Sequence, residues 1–144
     1  MMAEESLITE EIRSQIGTES EDIVLEIEKR VVKMFVEAVE DPNPMWKDIA
    51  PPNLLCTVLA GAGGGRIRVQ SSTPRRGGVA GGDDLELFQP IKVGDVITSR
   101  AKLIDIQERV GRDGTRRMYS IVETTYKNQK GEVIATDKST SISW

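Results

Sequence analysis

Eight consecutive residues without a charge, Asn53-Leu54-Leu55-Cys56-Thr57-Val58-Leu59-Ala60, follow a pair of prolines and precede a glycine run. A helix that is apolar all round has no face to offer water and must be enclosed. Pro52 suits the first position of such a helix, where a missing N–H has no intrahelical partner to lose. Gly61 to Gly65 would end it. The chain must therefore build a concave surface around this segment.

The rest of the sequence shows what that surface is made of. Asp84–Gln89 reads as a short strand, and Pro90-Ile91-Lys92-Val93-Gly94-Asp95 turns it into a long one, Val96–Val110. The apolar phase of the long strand slips between Leu103 and Ile104, as an inserted bulge residue would make it. Gly111-Arg112-Asp113-Gly114 predicts a hairpin onto Met118–Tyr126, and Asn128-Gln129-Lys130-Gly131 a second onto Val133–Ser143. On the N-terminal side, Leu7, Ile8, Ile12 and Ile16 predict a short helix over 6–16, ended by Gly17. Ile23, Leu25 and Ile27 then mark a strand over 23–28. Val31, Val32, Phe35, Val36 and Val39 form the stripe of a helix over 29–40, with Lys33 and Glu37 placed to pair. Residues 63–82, rich in Gly, Ser and Arg, predict a long mobile loop holding at most a short strand at Ile67–Val69. The class is α+β: a curved antiparallel sheet around one buried central helix, the hot-dog arrangement, with 1–144 as a single domain. One copy leaves a sheet edge uncovered, so pairing is expected.

Composition excludes more than it proposes. A net charge of −4 and six aromatics (two each of Trp, Tyr and Phe) argue against a nucleic-acid binder. The single cysteine, Cys56, predicts a buried, inert thiol in a reducing compartment. No basic and apolar leader opens the sequence, and no apolar run approaches a membrane span, so a cytoplasmic protein without a membrane partner is expected. There is no histidine. Any mechanism needing an imidazole must borrow it from elsewhere, and a transition-metal site is not expected.

Between the second helix and the uncharged segment lies Asp41-Pro42-Asn43-Pro44-Met45-Trp46-Lys47-Asp48-Ile49-Ala50-Pro51-Pro52-Asn53-Leu54-Leu55. Four prolines give this loop a set shape. Together with Phe35-Val36-Glu37-Ala38-Val39-Glu40 before it, the segment resembles MaoC-like acyl dehydratases, closest to the N-terminal dehydratase domain of that superfamily. Asp84-Leu85-Glu86-Leu87-Phe88-Gln89-Pro90-Ile91-Lys92-Val93-Gly94-Asp95-Val96 is similar to the family's strand and P-x-x-x-G-D turn. Glu123-Thr124-Thr125-Tyr126-Lys127-Asn128-Gln129 and Gly131-Glu132-Val133 are similar to its last hairpin.

The resemblance implies reversible hydration of a 2-enoyl thioester carried on coenzyme A or acyl carrier protein, with no further cofactor. It also implies an Asp and a His five positions on that hold the water between them. Asp41 falls on the Asp position, but Trp46 stands where the His belongs. Indole donates a hydrogen bond and cannot take a proton near neutral pH. Pro52 replaces a glycine whose N–H would face the thioester oxygen, and losing such a donor commonly costs about 10²–10³ in rate.

The expectation is a non-catalytic half of a dehydratase, forming a homodimer or pairing with a His-bearing MaoC-like subunit encoded separately. A hot-dog thioesterase and a non-enzymatic acyl-thioester binding module are the alternatives. Candidate substrate-binding residues are Asp41, Asn43, Trp46 and Asn53. Asp41 is either a remnant of the dyad or a turn-forming helix end. Trp46 fills the pocket or core more readily than it stacks on a ligand, and Asn53 either caps the central helix or meets a thioester amide. Arg66, Arg68, Arg75 and Arg76 are candidates for coenzyme A phosphates, or solvated loop charges.

Overall fold

The computed structural model describes residues 5–59 and 67–144, with the side chains of Val58 and Leu59 left aside. Helix α1 (Glu10–Arg13) is capped by Thr9, whose hydroxyl accepts from the Ile12 N–H. It is shorter than the 6–16 expectation, and the chain leaves its turn through Gly17 at φ 100°. Strand β1 (Ile23–Glu26) leads into α2 (Lys29–Ala38). Val32 on α2 is fully buried and Val31, Phe35 and Val36 pack beside it, whereas Val39 lies past the helix and is 50% exposed. Lys33 and Glu37 pair at 4.0 Å in open solvent, which contributes little.

The uncharged segment is the largest departure from expectation. Pro52–Leu54 is a single 3₁₀ turn and Leu55–Leu59 a wider π-type turn, in place of one regular α-helix. The Thr57 hydroxyl donates to the Asn53 carbonyl at 2.8 Å, the local competition that disturbs a regular helix. The segment is also not apolar all round. Leu54 and Leu55 are completely buried, Cys56 is half-buried, and Asn53 and Thr57 face solvent. Burying the two leucines contributes about 1.5–3 kcal/mol each. They sit with Ile27, Val32, Ala50, Ile91, Ile97 and Ile134 in the main core.

Five antiparallel strands form the sheet, in the order β1-β5-β6-β7-β3. Here β3 is Gly78–Leu87, β5 Val96–Val110, β6 Arg116–Lys127 and β7 Val133–Ser143. A separate two-stranded pair joins β2 (Ile49–Ala50) to β4 (Ile91–Lys92). The β5 bulge falls where the phase slip predicts it, since Leu103 pairs with Val122 and Asp105 with Ile121. The expected loop over 63–82 is corrected at its end: Gly78–Gly82 belongs to β3, with a bulge between Ala80 and Gly82. Ile67–Val69 is not a strand; both residues pack on a second core of Ile12, Leu103, Ile106 and Met118.

The turn before β5 is held from within. Asp95 is buried and its carboxylate accepts from the Lys92 N–H at 2.9 Å and from the Gln129 amide at 3.1 Å. Gly94 has φ 94°, a backbone conformation that a residue with a side chain adopts only under strain. Among the described residues no helix is long and apolar enough to cross a membrane.

Candidate functional site

The chain leaves α2 through Glu40 at φ 55°, an uncommon value for a residue with a side chain. It then folds into a set of local bonds around Asp41. One carboxylate oxygen, Oδ1, accepts from the Asn43 N–H at 3.1 Å. The other, Oδ2, accepts from the Trp46 indole N–H at 2.8 Å. Asn43 in turn accepts from the Met45 N–H at 3.0 Å and caps the 3₁₀ turn Pro44–Lys47. The prolines make this economical, because Pro42 and Pro44 have no N–H left to satisfy.

Trp46 is therefore half-buried and tied to Asp41, neither a core residue nor a ring standing open for stacking. Asn53 does not cap the central segment. It lies inside the 3₁₀ turn, exposed, with Pro51 at the cap position and no side-chain cap bond.

A second location collects more chemistry. The inner face of the sheet bounds a cavity of about 730 Å³ that Asp41, Asn43, Trp46 and Asn53 do not line. Strand register explains its lining. Ser120, Val122 and Thr124 of β6 pair with Ser141, Ser139 and Asp137 of β7, so alternate residues turn one hydroxyl-rich face inward. Arg68 and Arg75 of the arginine cluster also reach this cavity. Arg75 donates to Ser143 Oγ and approaches Met118 Sδ at 3.3 Å, and burial pulls its pKa down. Arg76 is exposed and does not line the cavity, while Arg66 lies outside the described residues.

At the cavity's acidic side stand Cys56, Asp83, Tyr126 and Asp137. Burial, and then the charge of Asp83, push Asp137 up to about 6. Cys56 is pushed up to about 12 by burial, then by Asp137 and Asp83. The thiol is half-buried against a cavity, where the sequence predicts one enclosed in the core. Burial and the charge of Asp137 raise Tyr126 as well, and its hydroxyl approaches the Leu55 carbonyl at 3.5 Å. The acidic pair was missed in the sequence. Its signal is the alternation Ala135, Asp137, Ser139, Ser141, which places a carboxylate at an inward position of β7.

Comparison with known proteins follows from this geometry. The profile of the FAS1-like dehydratase domain region matches residues 14–137. A curated relative, UPF0336 protein of Thermobifida fusca (strain YX), is 26% identical over 101 residues, covering 61% of this chain and 66% of that protein. The chain thus spans just under two thirds of that relative's length. Among solved structures, the HadBC (3R-hydroxyacyl-ACP dehydratase) complex of Mycobacterium tuberculosis superposes with a TM-score of 0.70 at 16% identity, covering 89% of this chain and 96% of that one. The (R)-hydratase from A. caviae involved in PHA biosynthesis gives 0.63 at 19%, over 88% and 94%. A MaoC-like dehydratase gives 0.74 at 19%, but only 43% of that longer chain is covered, against 92% of this one. At these identities the likeness establishes the hot-dog fold.

Proposed function

Because this chain belongs to the family of the FAS1-like dehydratase domain region, we propose that it is the non-catalytic half of an acyl-thioester hydratase or dehydratase. It shapes the acyl pocket, and a second hot-dog domain supplies the histidine that residues 1–144 lack. The observation that carries this reading is the bond from the Trp46 indole to Asp41. Hydration of a 2-enoyl thioester needs a base to take a proton from water and an acid to protonate the α-carbon. Here both oxygens of Asp41 are occupied by neutral N–H donors, one of them an indole that can neither accept nor relay a proton. Pro52 opens the central segment without an N–H for the thioester oxygen.

What remains is architecture suited to holding the acyl group. The inner cavity falls within the roughly 300–1,000 Å³ usual for small-molecule sites. Strand β3, one of the two outer strands of the sheet, exposes its free edge, a natural place for a second hot-dog domain to add its own sheet. That the M. tuberculosis neighbour is a complex, and that the longer MaoC-like neighbour has room for a further domain, support pairing of this kind. The carrier is coenzyme A or acyl carrier protein.

The test is hydration of a crotonyl-type thioester, followed by loss of enoyl absorbance, with the chain alone and with a His-bearing hot-dog domain from the same host. No turnover alone, co-elution with the partner and activity of the mixture are expected. A homodimer that hydrates the thioester at full rate without a partner would overturn the reading.

A further inference from the structure

Cys56, Asp83 and Asp137 stand 27 and 54 positions apart in sequence, yet each brings a ligand atom to within 4.8 Å of the others. They come from the central segment, β3 and β7. Asp83 pairs with Ser139, two residues from Asp137, so the two carboxylates are diagonal neighbours on one face. Asp137 is 4% exposed, and its Oδ1 has no hydrogen-bond partner among the described residues. A buried carboxylate oxygen left in that state is expensive, and protein interiors seldom tolerate it without a ligand or ion.

Among the described residues no nearby cation bonds to that oxygen. Lys138 pairs with Asp84, one register step away and on the opposite face. Arg75 is engaged with Ser143 and Met118, and Ser143 lies six residues from Asp137, about 20 Å along the strand.

We propose that Cys56 Sγ, Asp83 and Asp137 hold a divalent cation of zinc type, with its fourth position open to the cavity. Three protein ligands and one open position is a common zinc arrangement. The sulfur selects against magnesium and calcium, which prefer oxygen alone. Bonds of about 2.0–2.3 Å in a tetrahedron place ligand atoms roughly 3.3–3.8 Å apart, so the observed cluster needs to close by only about 1 Å. Metal uptake breaks the Cys56 S–H bond, forms a sulfur–metal bond and delivers the proton to buffer. The inference goes beyond the partner-subunit reading and does not depend on it.

Chelator-treated full chain, titrated with Zn²⁺ alone and separately with Co²⁺ alone, decides the matter. One Zn²⁺ per chain and a thiolate-to-cobalt charge-transfer band are expected. C56S should abolish that band. C56S and D137N should each weaken Zn²⁺ binding by more than the roughly 10–100-fold typical of losing an outer-shell partner. D84N, on the opposite face, should leave binding unchanged. A wild-type cobalt spectrum without the thiolate band overturns the assignment whether or not the variants fold, as does Zn²⁺ binding that survives both C56S and D137N.

Discussion

The Trp46 indole N–H donates to Asp41 Oδ2 at 2.8 Å, closing a loop of six residues around Pro42 and Pro44. The pair is a brace. Trp46→Phe keeps the ring and removes the donor, leaving a half-buried carboxylate short of one bond. A loss of about 1 kcal/mol in denaturant unfolding is expected, below the ~1.5–3 kcal/mol usual for hydrogen bonds to charged groups because water reaches the site.

On the proposed reading, hydration by this chain requires two changes, one for the base and one for the thioester-oxygen donor. Trp46→His supplies an imidazole beside Asp41, and Pro52→Gly restores a backbone N–H at the start of the central segment. Either change alone should leave hydration of a crotonyl-type thioester at background. The double variant should exceed either single one by at least about tenfold in steady-state assays, since an oxyanion donor alone commonly contributes about 10²–10³.

Asp137 predicts an inverted pH dependence. Its carboxyl is raised to about 6 from the usual 3.8, so the folded chain holds this proton more tightly than the unfolded chain. The stability it contributes is complete below about pH 4 and is lost as pH rises through 6. In metal-free protein, D137N should flatten urea-unfolding stability across that window. At pH 7 it should be more stable than wild type by on the order of 1–3 kcal/mol.

The exposed edge strand makes a prediction about association. Val79 is 53% exposed on β3 and Leu87 38%. Val79→Lys with Leu87→Lys places charge along that edge, a device by which natural sheets resist pairing. Sedimentation should show weaker self-association, or weaker binding to a second hot-dog domain. Melting temperature should change little, because neither side chain is in the core.

Gly77 is required by its neighbour. A Cβ there would meet the Trp144 ring at 2.8 Å, while the two residues exchange backbone hydrogen bonds of 3.1 Å each. Gly77→Ala should cost about 1–3 kcal/mol as an overpacking change. Trp144→Ala in the same chain should recover part of that loss in a double-mutant cycle.

The strands were legible where side chains carry the pattern. The bounds of β5 and β7, and the bulge after Leu103, follow from alternation and from turn residues. The first half of β3 was not, because Gly78–Gly82 is exposed and its pairing to β7 is made by backbone groups that any sequence carries. Position 57 hid the irregular central segment, since threonine passes as neutral in a hydropathy reading while its hydroxyl reaches the Asn53 carbonyl. At the candidate site the sequence identified Asp41 and Trp46 but not the bond between them. Asp83 and Asp137 went unnoticed, because the β3–β7 register brings the two carboxylates together and only the fold delivers Cys56 to them.

That register also sets an order of assembly. Tight turns join β5 to β6 and β6 to β7, whereas β1 reaches β5 by pairing Ile23 with Ser99 across about half of the chain. Closing the long loop costs entropy before any contact repays it. The C-terminal meander should therefore gain hydrogen-exchange protection first during refolding, with β1 and α2 docking onto it later. The proline loop braced by Asp41 and Trp46 would then form last, and until it does the meander has its concave face exposed to any other chain with a matching sheet.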